Sequence, residues 1–456
     1  MSNQSLKEKQ RPLVYERLHY RAPFGYVTMM ARLEGAISKE QLMKALTELT
    51  SKYPLMGARI EQLNDGSAKF VVEGASEYAV TVSDKKDDKQ WLQIAMDEQK
   101  KPFNLNKGPL IRFILLNSAY NSDIILVCHH TICDGLSLTY LVKDIIKLLN
   151  EPSKKVEPKP LPPTVSEENF TVKVSTGFLV KLLLNYFNRS WKKAKVIFTQ
   201  EDYEKIHQSY WDSNKIQVRL LTLPKELTTH LLSCCHQEKV SVNSAIIAAF
   251  TFAQNDLQGT NPSFSENVGV AMNIRHFFKE NAKENFGLLA AGNVLTVTRK
   301  DREGFWAVAK KTDRQAKKIL ASPKKVLKLL AFNYLDSGLI DAMWFTAHGD
   351  FKNKTALRLK KMFLNPSENP KRKIGTTNLG KVANDGSEQA YKLKTLFFIP
   401  PYWETYEKVI GIVTAAETMN ISILYDSRYV EDNIMEQFRM LTLKYIEEAT
   451  AHGSSA

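Results

Sequence analysis

Residues 123–149 read DIILVCHHTICDGLSLTYLVKDIIKLL, and the order of segments within this stretch indicates the architecture of the chain. It opens on a short apolar run, DIILVC, which is typical of a buried β-strand. From Leu136 onward, apolar residues recur every three or four positions, which predicts an amphipathic helix. The loop between them, HHTICDG at 129–135, holds two adjacent histidines, an aspartate and a glycine. A strand that leads through a polar loop into a helix is typical of an α/β layered domain.

The same alternation continues on both sides of this stretch. A helix predicted at 38–53 begins at Ser38, which can cap it, and places Leu42, Leu46 and Leu49 on one face. Further strands are predicted at 26–33, 57–62, 68–72, 110–117, 216–223, 267–273, 292–297, 395–399, 408–414 and 420–425. Further helices are predicted at 91–100, 224–236, 242–254, 303–320, 325–335 and 431–449. The predicted fold class is α/β, of the layered α+β kind.

A proline-rich segment separates two halves of the chain. Residues 151–168 contain five prolines and few apolar side chains, which is the composition of a semi-rigid linker. We therefore predict an N-terminal subdomain at 1–165 that carries HHTICDG, a proline-rich linker at 151–170, and a C-terminal subdomain at 171–456. Residues 178–198 mix Leu, Phe and Trp with Lys and Arg and predict a basic amphipathic helix. It either covers the junction between the subdomains or docks on a membrane or a partner.

Composition and charge narrow the class of protein and of partner. Hydrophobic residues make up 43% and charged residues 25% of the 456 positions, which is the usage of a globular protein. The 63 Lys and Arg residues against 49 Asp and Glu leave a formal charge of +14. This surplus favours anionic partners: phosphorylated cofactors, acidic proteins or anionic lipid. No nucleic-acid-binding module is recognisable, so nucleic acid is not an expected partner.

Cysteine usage and apolar runs bear on location. The 4 cysteines form neither a disulfide framework nor a CxxC pair, so no metal site is predicted. The N-terminus lacks the apolar run of a signal peptide. The longest apolar stretch, 177–187, is interrupted by Lys181 and is much shorter than the roughly 20 residues of a spanning helix. We expect a cytoplasmic monomer, with peripheral contact to a membrane surface as an alternative.

The HHTICDG loop carries the residue types of acid–base chemistry. A loop at the end of a strand can present one imidazole to a cavity while the neighbouring imidazole points into the wall. Histidine titrates near pH 6.5 and is the natural general base for a hydroxyl or an amine. The carboxylate of Asp134 can hold the shape of the loop through an ion pair. Gly135 allows close approach to its backbone N–H.

HHTICDG resembles the HHxxxDG signature of the chloramphenicol acetyltransferase-like superfamily, which includes peptide synthetase condensation domains, alcohol acetyltransferases and polyketide-associated acyltransferases. Four further segments resemble the family in order: LMKALTELTSKYPLMGARI at 42–60, KPFNLNKGPLIRFILL at 101–116, NIRHF at 273–277 and TTNLGKV at 376–382. The D-F-G-W-G loop of the plant-type branch is absent from this sequence. Among these groups, the sequence most closely resembles free-standing alcohol acetyltransferases and polyketide-associated acyltransferases.

The resemblance implies a fold, a reaction and a set of roles. The implied fold is two subdomains in a V with the active-site tunnel between them. The implied reaction moves an acyl group from a thioester, acyl-CoA or a phosphopantetheinyl acyl carrier protein, directly to a hydroxyl or amine acceptor, with no permanently bound cofactor and no metal. His130 matches the general base and Gly135 the glycine whose N–H helps to hold the donor carbonyl. Asp134 matches a structural carboxylate paired with Arg275, and His129 is predicted to be structural.

For three further residues the sequence allows two interpretations of the role of the side chain. Asn378, in TTNLGKV, either lines the junction between the subdomains or shapes a turn before Gly380. His19 lies where the chain first approaches the implied tunnel and belongs either to an acceptor pocket or to a loop or wall. Cys133 is close enough to His130 to suggest a nucleophile, but a small apolar filler is the favoured interpretation.

A basic stretch follows residue 351 and has few acids. It is either a solvated face or a docking surface for the donor or for anionic lipid. The candidates for donor docking are Lys360, Lys361, Arg372 and Lys373.

Two classes of function remain open on the sequence. The first is an acyltransferase, with a stand-alone peptide-synthetase-type condensation enzyme as its variant and a lipophilic acceptor as one option. The second is a catalytically idle module that uses the fold to recruit proteins. The intact HHTICDG loop disfavours the idle module.

Overall fold

The computed structural model describes residues 9–193, 196–259, 261–363, 372–382 and 390–451. Its strands are β1 Gln10–Pro12, β2 Tyr26–Glu34, β3 Arg59–Gln62, β4 Ala68–Val71, β5 Val80–Asp84, β6 Ile111–Asn117, β7 Asn121–His129, β8 Ile216–Leu223, β9 Phe264–Asn273, β10 Ala290–Arg299, β11 Arg372–Val382, β12 Leu393–Ile399, β13 Tyr406–Ala415 and β14 Thr418–Asp426.

Helices lie between most of these strands. They are α1 Arg17–Tyr20, α2 Lys39–Lys52, α3 Gln90–Gln99, α4 Gly135–Asn150, α5 Phe178–Lys192, α6 Gln200–Ser213, α7 Lys225–Gln237, α8 Val242–Leu257, α9 Phe305–Leu320, α10 Pro323–Val326, α11 Ser337–His348, α12 Lys354–Phe363 and α13 Asp432–Ala451. The described part of the chain also contains 3₁₀ turns at Pro54–Gly57, Glu167–Asn169, Arg275–Phe277 and Lys328–Tyr334. The mixed content of strands and helices confirms the predicted α/β class.

Local signals in the sequence explain where the helices begin. The backbone N–H of Gln41 donates to Ser38 Oγ at 3.2 Å, and Gln41 Oε1 accepts from the Ser38 N–H at 2.8 Å, so α2 starts with a capping box. Its apolar face, Leu42, Leu46 and Leu49, is buried as predicted. Helix α4 has the same device at Asp134. This cap fixes the point at which the HHTICDG loop ends.

The first sheet has five strands in the order β12-β2-β7-β6-β5. Strands β2, β7 and β6 pair antiparallel, and β5 pairs parallel to β6. Its outer strand β12 comes from the second half of the chain and pairs antiparallel with β2, with Phe398 opposite Met29. The sequence predicts the strand but not this exchange between the two halves.

The second sheet has six strands in the order β10-β9-β11-β13-β14-β8. Strand β11 runs parallel to both of its neighbours, whereas the other pairs are antiparallel. A small third sheet, in the order β1-β4-β3, pairs the N-terminal strand with the β3–β4 hairpin. Both large sheets therefore contain parallel and antiparallel pairs.

The two large sheets meet along β12. Asn420 Nδ2 in β14 donates to the Leu396 carbonyl at 3.0 Å, and Ser422 Oγ donates to the Phe398 carbonyl. Gly411 in β13 packs so closely on β12 that a Cβ would lie 2.5 Å from the Phe398 carbonyl oxygen. The predicted subdomain and linker boundaries stay predictions, and so does the tunnel.

Some predicted elements differ from the structure. The helix predicted at 178–198 ends at Lys192, and residues 196–198 are not helical, because Thr199 caps the separate helix α6. The helix predicted at 325–335 is divided into α10 and a 3₁₀ turn. Helices α1, α6, α11 and α12 and strands β1, β5 and β11 are not predicted. Within the described residues, none of the helices has the length and apolar character needed to cross a bilayer.

Candidate active site

His130 stands at the end of β7, where the strand gives way to the HHTICDG loop. Its backbone N–H donates to the Gly25 carbonyl at 2.7 Å, which fixes the main chain at the end of the strand. The residue is only partly buried, in contrast to the fully buried His129 before it. The alternation of side chains along a strand explains why the two imidazoles point to opposite sides.

The tautomer of His130 follows from one contact. Its Nδ1 lies 2.7 Å from the Cys133 carbonyl oxygen. A carbonyl can only accept a hydrogen bond, so Nδ1 carries the hydrogen and Nε2 carries the lone pair. Burial lowers the pKa of His130 below 6.5, although the hydrogen bond to Cys133 and the charge of Asp134 act in the opposite direction. The side chain is therefore a neutral imidazole at pH 7 with Nε2 ready to accept a proton.

His129 points into the protein. Its Nδ1 accepts from the Thr131 N–H at 3.3 Å and lies 2.9 Å from Thr131 Oγ1. Its ring packs near Tyr26 and Phe103, with centroids at 5.4 and 6.0 Å. Burial, followed by the charge of nearby His130, lowers the pKa of His129 to about 3. This neutral ring fills the wall behind the loop.

Asp134 and Arg275 form a buried ion pair between the two halves of the chain. Arg275 Nη1 donates to Asp134 Oδ2 at 2.8 Å and Nη2 donates to Oδ1 at 2.9 Å, a two-pronged contact. The same carboxylate accepts from the Ser137 and Leu289 N–H groups at 2.8 and 3.0 Å. Ser137 Oγ also accepts from Arg275 Nη2 at 3.0 Å. One carboxylate thus caps α4 and ties the loop to the second half.

The environment of Asp134 does not suit a proton carrier. Burial alone would raise its pKa, but Arg275 and the hydrogen bonds from Ser137 outweigh burial and lower it below 3.8. Asp134 is therefore ionised at neutral pH. Burial raises the pKa of the Cys133 thiol well above 9, which favours the apolar filler over the nucleophile.

Gly135 is the first residue of α4 and packs closely against β11 of the second sheet and β12 of the first. A Cβ on this residue would lie 2.5 Å from Leu379 Cδ2 and 3.0 Å from Phe398 Cε2. The N–H groups in the first turn of a helix have no partner within the helix and suit a developing negative charge. Gly135 therefore lies where its N–H could serve an oxyanion, and a Cβ there would require Leu379 and Phe398 to shift.

Asn378 shapes the strand that faces Gly135. Its Oδ1 accepts from the Gly380 N–H at 2.8 Å, and Gly380 has a left-handed φ of +75°. The register of β11 shifts between Asn378 and Lys381 at this bulge. The structure shows Asn378 shaping the turn, and its role in lining the junction stays a prediction.

His19 is brought directly to His130. Their ring centroids are 4.2 Å apart, and Trp403 stands edge-on to His19 at 5.5 Å. Phe24 and Trp344 continue the ring-to-ring contacts at 5.0 and 5.9 Å from Trp403. Burial and then the nearby charge of His130 lower the pKa of His19 well below 6.5. We call the rings of His19, Trp403, Phe24 and Trp344 together the aromatic wall, which begins beside His130.

Sequence reasoning missed two members of this site. Trp403 carries no local signal, because its contact with His19 depends on long-range packing. Ser137 could have been found, since a polar residue three positions after an Asp at a helix start is a capping pattern.

The four candidate donor-docking residues are divided between two elements. Lys360 and Lys361 lie on α12, whereas Lys373 lies on β11 and pairs with Glu407 at 2.7 Å. Arg372 begins β11, and its side chain lies outside the described part of the chain. Their role in docking stays a prediction.

Comparison with solved structures shows that other proteins share this fold. The fold is similar to that of TRI3 trichothecene 15-O-acetyltransferase from Fusarium sporotrichioides, at a TM-score of 0.66 and 11% identity over 97% of this chain and 95% of that chain. It is also similar to polyketide synthase associated protein 5 from Mycobacterium tuberculosis, at 0.61 and 13% identity over 96% and 97%. The architecture is that of the chloramphenicol acetyltransferase-like proteins. Within this class, the condensation-domain model matches residues 3–324, so the chain belongs to the condensation-domain family.

The chain also matches short parts of much longer synthase and synthetase sequences. The chain is 23% identical to a linear gramicidin synthase polypeptide from Brevibacillus parabrevis over 247 residues, 48% of this chain. It is also 23% identical to cyclosporin synthetase simA from Tolypocladium inflatum over 249 residues, 54% of this chain. The matches cover 3% and 2% of the length of those two proteins.

Proposed function

We propose that this protein transfers an acyl group from a thioester directly to a hydroxyl or amine acceptor, with His130 as general base. The observation that carries the proposal is the hydrogen bond from His130 Nδ1 to the Cys133 carbonyl, because it leaves the lone pair on Nε2. The lowered pKa of His130 keeps that lone pair available at neutral pH.

The reaction balances without a covalent enzyme intermediate. His130 Nε2 takes the proton of the acceptor as its oxygen or nitrogen attacks the thioester carbonyl carbon. The resulting tetrahedral oxyanion lies near the start of α4, where the Gly135 N–H is the proposed donor. The C–S bond then breaks, and the departing sulfur takes the proton from Nε2. The products are an ester or amide and a free thiol.

Asp134 and Arg275 act in this proposal as positioning residues. Their ion pair holds the start of α4 against the 285–289 segment through the Asn285 carbonyl and the Leu289 N–H. His129 supports the same loop from behind. None of these three side chains exchanges a proton during the reaction.

Donor and acceptor are proposed from chemistry and family. Membership of the condensation-domain family supports a donor carried on phosphopantetheine, which coenzyme A and acyl carrier proteins share. The formal charge of +14 supports an anionic donor of either kind. The aromatic wall from His19 to Trp403 supports an acceptor with an apolar body. An amine held on a second carrier, as in a stand-alone condensation enzyme, is the variant that the family match favours.

An acyl-transfer assay tests the proposed function. The full chain is incubated with a panel of acyl-CoA and acyl-carrier thioesters and with hydroxyl or amine acceptors, and both free thiol and acylated acceptor are quantified. We expect one thiol released for each acylated acceptor. Thiol release without an acylated acceptor would indicate a hydrolase. No release across the panel would favour the protein-recruitment module.

A further inference from the structure

Helix α5 has two apolar faces, and only one of them is used by the fold. Leu184, Phe187 and Trp191 point inward and are buried. The other face consists of Phe178, Leu179, Leu182, Leu183 and Tyr186, which are between 45% and 78% exposed. An ordinary surface helix shows polar residues on its outer side. A contiguous set of large exposed apolar side chains is typical of an interaction surface.

Helix α12 extends this surface. It packs beside α5, where Arg358 Nη1 donates to Tyr186 Oη at 3.0 Å and Ser190 Oγ lies 2.7 Å from Thr355 Oγ1. Leu357 and Met362 on α12 are 41% and 44% exposed. We call the exposed apolar side chains of α5 and α12 together the α5–α12 surface.

Basic side chains accompany the apolar ones on both helices. Residues 178–193 contain Lys181, Arg189, Lys192 and Lys193, and α12 contains Lys354, Arg358, Lys360 and Lys361. Neither segment contains an Asp or a Glu. On α5, the apolar side chains Phe178, Leu182 and Tyr186 lie on the same side of the helix as Arg189 and Lys193, by the 3.6-residue period.

We propose that the α5–α12 surface docks on a lipid bilayer that contains anionic lipid. Helices that lie in a membrane interface insert an apolar face and surround it with Lys and Arg, which attract anionic headgroups. A second copy of the chain fits less well, because two such basic surfaces would repel each other. The inference does not depend on the acyl-transfer chemistry.

Packing connects the α5–α12 surface to the element that carries His19. Helix α12 packs on α11, and α11 holds α1 through an Arg17–Asp341 ion pair and a hydrogen bond of 2.9 Å from Trp344 Nε1 to the Leu18 carbonyl. His19 belongs to α1.

Vesicle co-sedimentation of the full chain tests the proposal. The probes are phosphatidylcholine vesicles with and without phosphatidylglycerol, at low and at high salt. One variant carries Leu179→Asn, Leu182→Asn and Leu183→Asn, and its matched control carries Leu232→Asn, Tyr429→Asn and Met440→Asn, which remove three exposed apolar side chains elsewhere. A third variant carries Arg189→Gln, Lys192→Gln and Lys193→Gln. Thermal unfolding checks that each variant is folded.

We expect the wild type to bind the anionic vesicles at low salt and to be released at high salt. The α5 apolar variant and the charge variant should each lose roughly tenfold or more in partition coefficient, whereas the control stays within about twofold. Absence of binding to anionic vesicles by folded wild type would overturn the proposal. So would vesicle binding that the folded α5 variants retain, or a homodimer in light scattering that the apolar variant dissociates.

Discussion

His130 donates its one imidazole hydrogen to the Cys133 carbonyl, and this contact determines which nitrogen can act as a base. A ring that could rotate or exchange tautomers would spend part of its time with the wrong nitrogen toward the acceptor. Because the carbonyl belongs to the same loop, the loop itself sets the orientation. His19, with its ring 4.2 Å away, restricts the imidazole from another side.

Activity should depend on the protonation of His130. The neutral form is required, and its pKa is lowered below 6.5, so kcat/KM should be constant near neutral pH and fall as pH drops through the lowered pKa. We expect a fall of about tenfold per pH unit on the acid side, with a midpoint below pH 6.5. The exposed His236 provides a control, because His236→Gln should leave the profile unchanged. A midpoint above pH 6.5 would contradict the assigned environment of His130.

The residues alone predict members of the site only where they are close together in the chain, whereas Arg275, His19 and Asn378 are assigned through the family resemblance. The histidines, Asp134 and Gly135 stand within one loop, and their spacing is visible. The 4.2 Å contact between His19 and His130 and the position of Trp403 arise from packing of distant segments. Hydrophobic periodicity contains no information about such contacts.

At the scale of elements, the two halves of the chain contact each other at the start of α4. Asp134 caps the helix, and the same carboxylate receives both prongs of Arg275 from the 3₁₀ turn Arg275–Phe277. Gly135, next in the chain, packs against Leu379 of β11 and Phe398 of β12. Movement of either half would therefore displace the loop that holds His130.

Breaking the Asp134–Arg275 pair should destabilise the fold and lower activity together. Asp134→Asn and Arg275→Ala are each expected to cost about 3–5 kcal/mol of unfolding free energy, because each leaves a buried polar partner uncompensated. The double variant should cost clearly less than the sum. Denaturant unfolding and turnover measure both effects.

An exposed pair serves as the comparison for this cycle. Glu436 and Arg439 pair on the surface of α13, and Glu436→Gln should cost about 1 kcal/mol or less. Simple additivity of the two buried substitutions would mean that Asp134 and Arg275 do not interact in solution.

Elements with local signals were predictable, and those that depend on the whole fold were not. The capping box at Ser38 and the leucine face of α2 predict that helix from short-range pattern alone. Helix α11 has buried residues along most of its length, from Gly338 to Phe345, and so shows no amphipathic period. Strand β12 was predicted, but its pairing with β2 was not, since the partner lies in the other half of the chain.

At the scale of the whole molecule, strand β12 joins the two large sheets. It comes from the second half of the chain and pairs in the first sheet. Strand β12 completes the first sheet while Asn420 and Ser422 of the second sheet donate to its carbonyls. A large hydrophobic core extends across both halves, with Leu126 of β7, Trp191 of α5 and Leu396 of β12 among its fully buried members. This shared packing fixes the position of the His130 loop relative to the Arg275 turn, as the proposed direct transfer between two bound substrates requires.

The central claim is that His130 takes the proton of the acceptor, and the most direct test compares turnover of the wild type with that of His130→Ala at saturating donor and acceptor. We predict a loss of about 10²–10⁴-fold, with His236→Ala unaffected and all three proteins equally stable in thermal unfolding. Retention of more than about a tenth of wild-type turnover by folded His130→Ala would contradict the general-base role.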